Sequence, residues 1–208
     1  MLSRNSYFNL INAANVVSGL LAKNHIKSLD MLRCFDGMNS GLPILVVADP
    51  SVFEFEKDSV FEVDPVEICD AVYGHKDTSY VGFKHAFSDF KFLSQIKVKS
   101  KYKKIFAAII DQNQECRKYI KVLRKDGKDI GSFQTRNIPH FGHEAIVSSM
   151  LKLCDHLVIN PVVGPKKSGD ITLEALERVF NELASRKYKN EISFKPIDAN
   201  MYYAGPRE

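Results

Sequence analysis

The chain has 208 residues, enough for one large domain or two modest ones. Hydrophobic residues make up 45% and charged residues 26%, a balance that excludes a disordered or fibrous chain, and no run has the apolar length of a membrane span. The net charge of +4 suits small anionic ligands without demanding nucleic acid.

The N-terminus lacks a basic-then-apolar signal, so a cytoplasmic protein is expected. Cys34, Cys69, Cys116 and Cys154 are scattered with no CxxC spacing. They read as reduced, mostly buried thiols rather than zinc or redox ligands. The first half reads as strands and turns. LPILVVAD (42–49) is a short β-branched run ending at Asp-Pro, the pattern of a buried strand. VFEFEKDSVFEV (52–63) alternates around a central turn and predicts a hairpin. VDPVEICDAVYG predicts a short helix with Pro65 at its start and Gly74 at its end. KFLSQIKV (91–98) predicts another strand.

The basic run KVKSKYKK (97–104) reads first as a solvated strand edge or linker. Without interleaved aromatics it makes a weak nucleic-acid patch, so an RNA-binding module ranks below the other readings. IFAAIIDQNQECRKYIKVLRKDG has helical spacing and stops at Gly127. From Lys128 the pattern becomes strand, loop, helix, strand. DIGSF is the first strand and HLVINPVVG the second. Between them HEAIVSSMLKLCD places Ile146, Val147, Met150, Leu151 and Cys154 on one helical face. The span is roughly that of one βαβ unit, so a parallel sheet is expected. TLEALERVFNELASRKY predicts a further amphipathic helix and EISFKPI a third strand. The chain thus divides into a mainly β domain, 1–108, and an α/β domain, 109–208.

The loop after the first strand of an open α/β sheet is the usual ligand position. Here it reads QTRNIPHFGHE, Gln134 to Glu144. Gln134, Arg136 and Asn137 offer donors, and Arg136 has the fork geometry that grips oxyanions. His140 and His143 lie at or just before a helix start, whose N–H groups and dipole favour negative charge. Gly142 between them removes a side chain, letting a phosphate approach the backbone. The two histidines with Glu144 also have metal-ligand chemistry. That reading leaves Gln134, Arg136 and Asn137 unexplained and sets an arginine against a cation, so no metal site is expected. His-x-Gly-His is a moderately specific sign of nucleotidyltransferases, which work by positioning and charge stabilisation.

The whole string resembles the sulfate adenylyltransferase (ATP sulfurylase) signature, Gln-Thr-Arg-Asn-Pro-x-His-x-x-His-Glu. NPVVGPKKSGDI (160–171) and MYYAGPRE (201–208) resemble later segments of that family in the same order. SGLPILVVAD and EICDAVYGHKD are fainter echoes of its N-terminal domain. The resemblance implies a PUA-like, mainly β domain followed by a partial Rossmann-like nucleotidyltransferase domain. It implies transfer of AMP from MgATP to sulfate, giving adenosine 5′-phosphosulfate and pyrophosphate in sulfate assimilation. ATP and sulfate are then the partners, with Mg²⁺ arriving on the nucleotide and no tightly bound cofactor. A homo-oligomer is compatible with this reading. By analogy Gln134 and Arg136 hold sulfate, and Thr135, Arg136 and Asn137 reach the α-phosphate. His140 and His143 face the phosphate chain beside Gly142, and Lys167 and Arg207 match basic nucleotide-binding positions.

The sequence also departs from the family. Ile138 intervenes before Pro139, which moves the fixed φ by one residue. Asn160 stands where the family often has His, and Tyr202 where it often has Arg. Family members continue past Ala-Gly-Pro-Arg-Glu into a Gly-Arg-Asp-His-Ala-Gly segment, whereas this sequence stops at Glu208. The resemblance therefore leaves two further readings open. One is a nucleotidyltransferase for another anionic acceptor, and the other a degenerate homologue or fragment without turnover.

Overall fold

The computed structural model describes residues 2–18, 46–86, 89–135, 137–164 and 171–200. The described residues fall into two compact units, one running to Ala108 and taking Asn200 as well, the other spanning Ile109–Ala199.

In the first unit, α1 spans Arg4–Val17, with the Ser3 hydroxyl accepting from the Ser6 N–H. Leu10, Ile11, Ala13 and Ala14 are fully buried, and so, nearly, are Ser6, Asn9, Asn12 and Asn15. A helix buried around so much of its circumference shows no amphipathic stripe, which is why periodicity does not reveal it. β1 (Val60–Glu62), α2 (Pro65–Tyr73), α3 (Val81–Ala86) and β2 (Lys91–Leu93) follow. α2 is capped as expected: the Asp64 carboxylate accepts from the Val66 N–H at 2.8 Å, Pro65 opens the helix, and Gly74 closes it at φ 76°. Its Ile68, Cys69, Val72 and Tyr73 pack with Val63, Phe83 and Phe92.

Two expectations for this unit need correction. Among its described residues helix exceeds strand, so it is not mainly β there. The hairpin over 52–63 is also absent. Its second arm pairs instead with β2, Val60 opposite Leu93, and Phe53 of the first arm bridges Val98. Alternation set which face each arm buries, but the partner came from a distant strand. The buried run at 42–49 is described from Val46 onward, where Val47 bridges Phe92.

The second unit is built from the rest of α4 (Lys103–Lys125), then β3 (Ile130–Thr135), α5 (Phe141–Met150), β4 (His156–Val163), α6 (Leu173–Arg186), β5 (Ile192–Phe194) and β6 (Ile197–Asp198). The run KVKSKYKK ends in a helical turn and the start of α4. Gly127, at φ 73°, follows the end of α4. The sheet is parallel, as expected, in the order β3-β4-β5, with β6 also on β4. The domain is α/β with a partial Rossmann-like sheet. β4 is central and almost wholly buried, which accounts for its mostly apolar sequence. The third strand is split in two: Pro196 has no N–H for the ladder, so β5 ends at Phe194 and β6 resumes at Ile197.

α5 and α6 supply Val147, Leu176, Phe180, Ala184 and the adjoining Tyr188, which pack with Leu157, Ile159 and Ile192. α5 is shorter than its apolar spacing suggests. Ile146 is 46% exposed and Leu153, beyond the helix end, 85%. Cys69 and Cys116 are buried, Cys154 is half-buried, and all three are free thiols; Cys34 lies outside the described residues.

Candidate functional site

β3 delivers Gln134 and Thr135 to the C-terminal edge of the parallel sheet, and α5 starts six residues after Thr135. Gln134 lies in register with Asn160 of β4, and its side chain is exposed. Thr135 points the other way and is buried. Its Oγ1 accepts the Asn137 N–H at 3.1 Å, which folds the chain back immediately after the strand.

The two histidines cap α5 reciprocally. The Nδ1 of His140 accepts the Gly142 N–H at 3.1 Å, while the His140 N–H donates to Nδ1 of His143 at 3.3 Å. Because each Nδ1 accepts, each neutral ring carries its proton on Nε2. His143 Nε2 then faces Thr135 Oγ1 at 3.5 Å, in a buried contact. His140 is exposed, so its Nε2–H is open to a ligand. The rings lie 4.0 Å apart, and Phe133 packs edge-on to His143. Burial, then the neighbouring His140, holds His143 below the usual histidine range, so it is neutral at physiological pH.

Gly142 has a nearer reason than phosphate approach. A Cβ there would lie 2.9 Å from Cε1 and 3.1 Å from Nδ1 of the His140 ring. Glycine therefore admits the histidine cap itself. Gly142→Ala is expected to leave the melting temperature nearly unchanged, since alanine's better helix propensity, up to about 1 kcal/mol, offsets the loss of the cap. It is also expected to swing His140 off its cap and to weaken the turn's affinity for an anionic probe such as inorganic pyrophosphate about tenfold. Calorimetry on the variant checks both halves.

The loop thus brings Thr135, Asn137, Gly142, His140 and His143 together, with Gln134 at the strand end. Arg136, Lys167 and Arg207 lie outside the described residues. The metal alternative finds no support in the geometry: both Nδ1 atoms take backbone N–H groups, and Glu144 pairs with Lys187. No cluster of three or more potential ligands that could hold a metal occurs among the described residues.

Three features escaped sequence reasoning. Asn160 is consumed in the core, accepting from Ser132 Oγ at 2.7 Å and donating to the Lys195 carbonyl at 2.9 Å and to Cys116 Sγ. Asp198, at the end of β6, is buried against Gln112 and Asn113 of α4, more than eighty residues away in sequence. The Glu144–Lys187 pair spans 43 residues. None of these has a local spacing signal. A cavity of about 430 Å³, lined by residues such as Glu62, Asp64, Asp89 and Lys91, belongs to the first unit and shares no residue with this turn.

Against known families, residues 107–208 match the ATP-sulfurylase model, covering the sheet, the histidine cap and both later motifs. That segment belongs to the ATP-sulfurylase family. The chain is 28% identical over 212 residues to the sulfate adenylyltransferase of Pyrococcus abyssi, which covers 92% of this chain and 55% of the relative. It is 30% identical over 168 residues to that of Thermococcus onnurineus, covering 79% and 44%. Over 86 residues it is 41% identical to that of Ignicoccus hospitalis, covering 41% and 22%. The chain spans about half the length of the first two relatives. Among the described residues no helix is long and apolar enough to cross a membrane.

Proposed function

We propose that this chain carries the sulfate and nucleotide cradle of a sulfate adenylyltransferase. A sulfate oxygen attacks the α-phosphorus of ATP in line. A P–O bond forms to sulfate, the bond to the β-phosphate bridge breaks, and pyrophosphate leaves with the negative charge. No proton need move, so the protein's task is to position two anions and stabilise the charge that migrates to the leaving group. Arg136 and Gln134 hold the sulfate, Arg136 and Asn137 reach the α-phosphate, and Thr135 lines the turn. His140 donates Nε2–H to the phosphate chain, while His143 holds Thr135 and the His140 backbone in place. Lys167 and Arg207 add positive charge toward the nucleotide, which arrives as its Mg²⁺ complex. The antiparallel pairings of Val47, Phe53 and Val60–Glu62 support a PUA-like reading of residues 1–108, with 109–208 as the nucleotidyltransferase domain. ATP and sulfate as substrates suit a cytoplasmic enzyme.

The observation that carries this reading is the histidine-capped turn at the C-terminal end of β3, inside the matched segment. Sulfate-dependent exchange of labelled pyrophosphate into ATP tests it. Gln134→Ala and Arg136→Ala are each expected to lower that exchange by about a hundredfold or more. Exchange that persists undiminished in both variants would sink sulfate as the acceptor.

A further inference from the structure

The first turn of α5 contains one acidic side chain, Glu144. A carboxylate there suits the helix dipole of the free protein, yet it opposes any anion bound at the same terminus. Glu144 is held by a partner from α6: its carboxylate forms an ion pair with the Lys187 ammonium, at the C-cap of that helix. The Tyr188 hydroxyl donates to the Glu144 carbonyl at 3.4 Å and lies 3.3 Å from Ser148 Oγ. The grip is rigid at its root. Tyr188 N–H bonds back to the Leu183 carbonyl and Asn190 N–H to the Ala184 carbonyl, with Lys189 and Asn190 at positive φ.

An ion pair this close to the surface contributes little to stability by itself. Its larger consequence is local: it removes a negative charge beside the place where phosphates meet the α5 terminus. We infer that Lys187 is a positioning residue of the nucleotide site, cancelling Glu144 and steadying the first turn of α5 so that a polyphosphate meets only donors and positive potential. This inference rests on the functional reading above, since it needs an anion at that turn. The Lys187 ammonium is held above the ordinary lysine range, first by its hydrogen bond to Glu144, so the lysine stays charged across the neutral range.

Calorimetric titration of the 208-residue chain with inorganic pyrophosphate and with MgATP tests it. Lys187→Met is expected to weaken pyrophosphate about tenfold at low salt, with the gap narrowing as ionic strength rises. Adding Glu144→Gln to Lys187→Met is expected to restore affinity to within about twofold of wild type, because the uncompensated charge is gone. A purely structural staple predicts the opposite pattern: both single variants and the double variant weaken alike, with lower melting temperatures. That pattern, or an unchanged affinity in Lys187→Met, overturns the inference. A wild-type chain that binds neither probe overturns the functional reading first and this inference with it. Binding by wild type without the charge-rescue pattern overturns this inference alone.

Discussion

His143→Ala is expected to destabilise the second unit by about 2–3 kcal/mol and to lower pyrophosphate exchange by about a hundredfold or more. The imidazole is 9% exposed, so its removal opens a cavity beside Phe133. It also strands the His140 N–H, which loses its acceptor at 3.3 Å, and removes the imidazole contact of Thr135 Oγ1 at 3.5 Å. With the His143 half of the cap and its ring contact gone, His140 is held less firmly over the α5 terminus, and the proposed nucleotide site loses a fixed donor. The pH dependence has a definite sign. His143 sits below its unfolded value near 6.5 because burial penalises the charged ring. Its contribution to stability is therefore complete above about pH 6.5 and declines as pH falls below that, toward its lowered folded value. His156 behaves likewise: burial comes first among the causes of its depression, and its ring is wedged between Tyr119 and Ser193. Urea unfolding between pH 5 and 8 reads both, and His143→Ala should flatten the acid side of the wild-type profile. An unchanged acid slope would remove His143 from this account.

The second large effect goes in the opposite direction. Asp198→Asn is expected to stabilise the protein at pH 7.5 by up to about 3 kcal/mol and to have no effect below about pH 4. Burial raises the Asp198 carboxyl from 3.8 to about 6. The folded state therefore prefers the protonated acid. The stability Asp198 contributes is present below about pH 3.8, is lost as pH rises toward 6, and stays lost above it. Asparagine keeps an acceptor for the Gln112 amide at 3.0 Å and removes the buried charge. A destabilised variant at pH 7.5 would show instead that the ionised carboxylate has a favourable role at the end of β6.

Much of the candidate site was legible locally because its devices are local. Gln134 to Glu144 is one contiguous stretch of sequence, and the cap joins His140 to His143 across three residues. The same holds for α2, whose start and stop are written by Asp64, Pro65 and Gly74. Elsewhere the outcome depended on partners distant in sequence. Nothing in VFEFEKDSVFEV says that its second arm will pair with residues 91–93 instead of with its own first arm, because alternation specifies a face and not a neighbour. α1 left no readable period because nearly all its surface is buried, asparagines included. Gly142 was read as room for a phosphate, and the packed structure shows room for a histidine.

By itself, then, the sequence determined the order of strand, turn and helix from Lys128 onward, the anion-favouring chemistry of the turn, and the family that residues 107–208 match. Those depend on residue type and short spacing, which a linear chain displays. Only the tertiary structure decided that His143 is buried and faces Thr135 while His140 is exposed, that Asn160 is spent in the core, and that Lys187 pairs with Glu144. Each of those follows from packing between elements, where burial and proximity, not residue identity, set what a side chain can do.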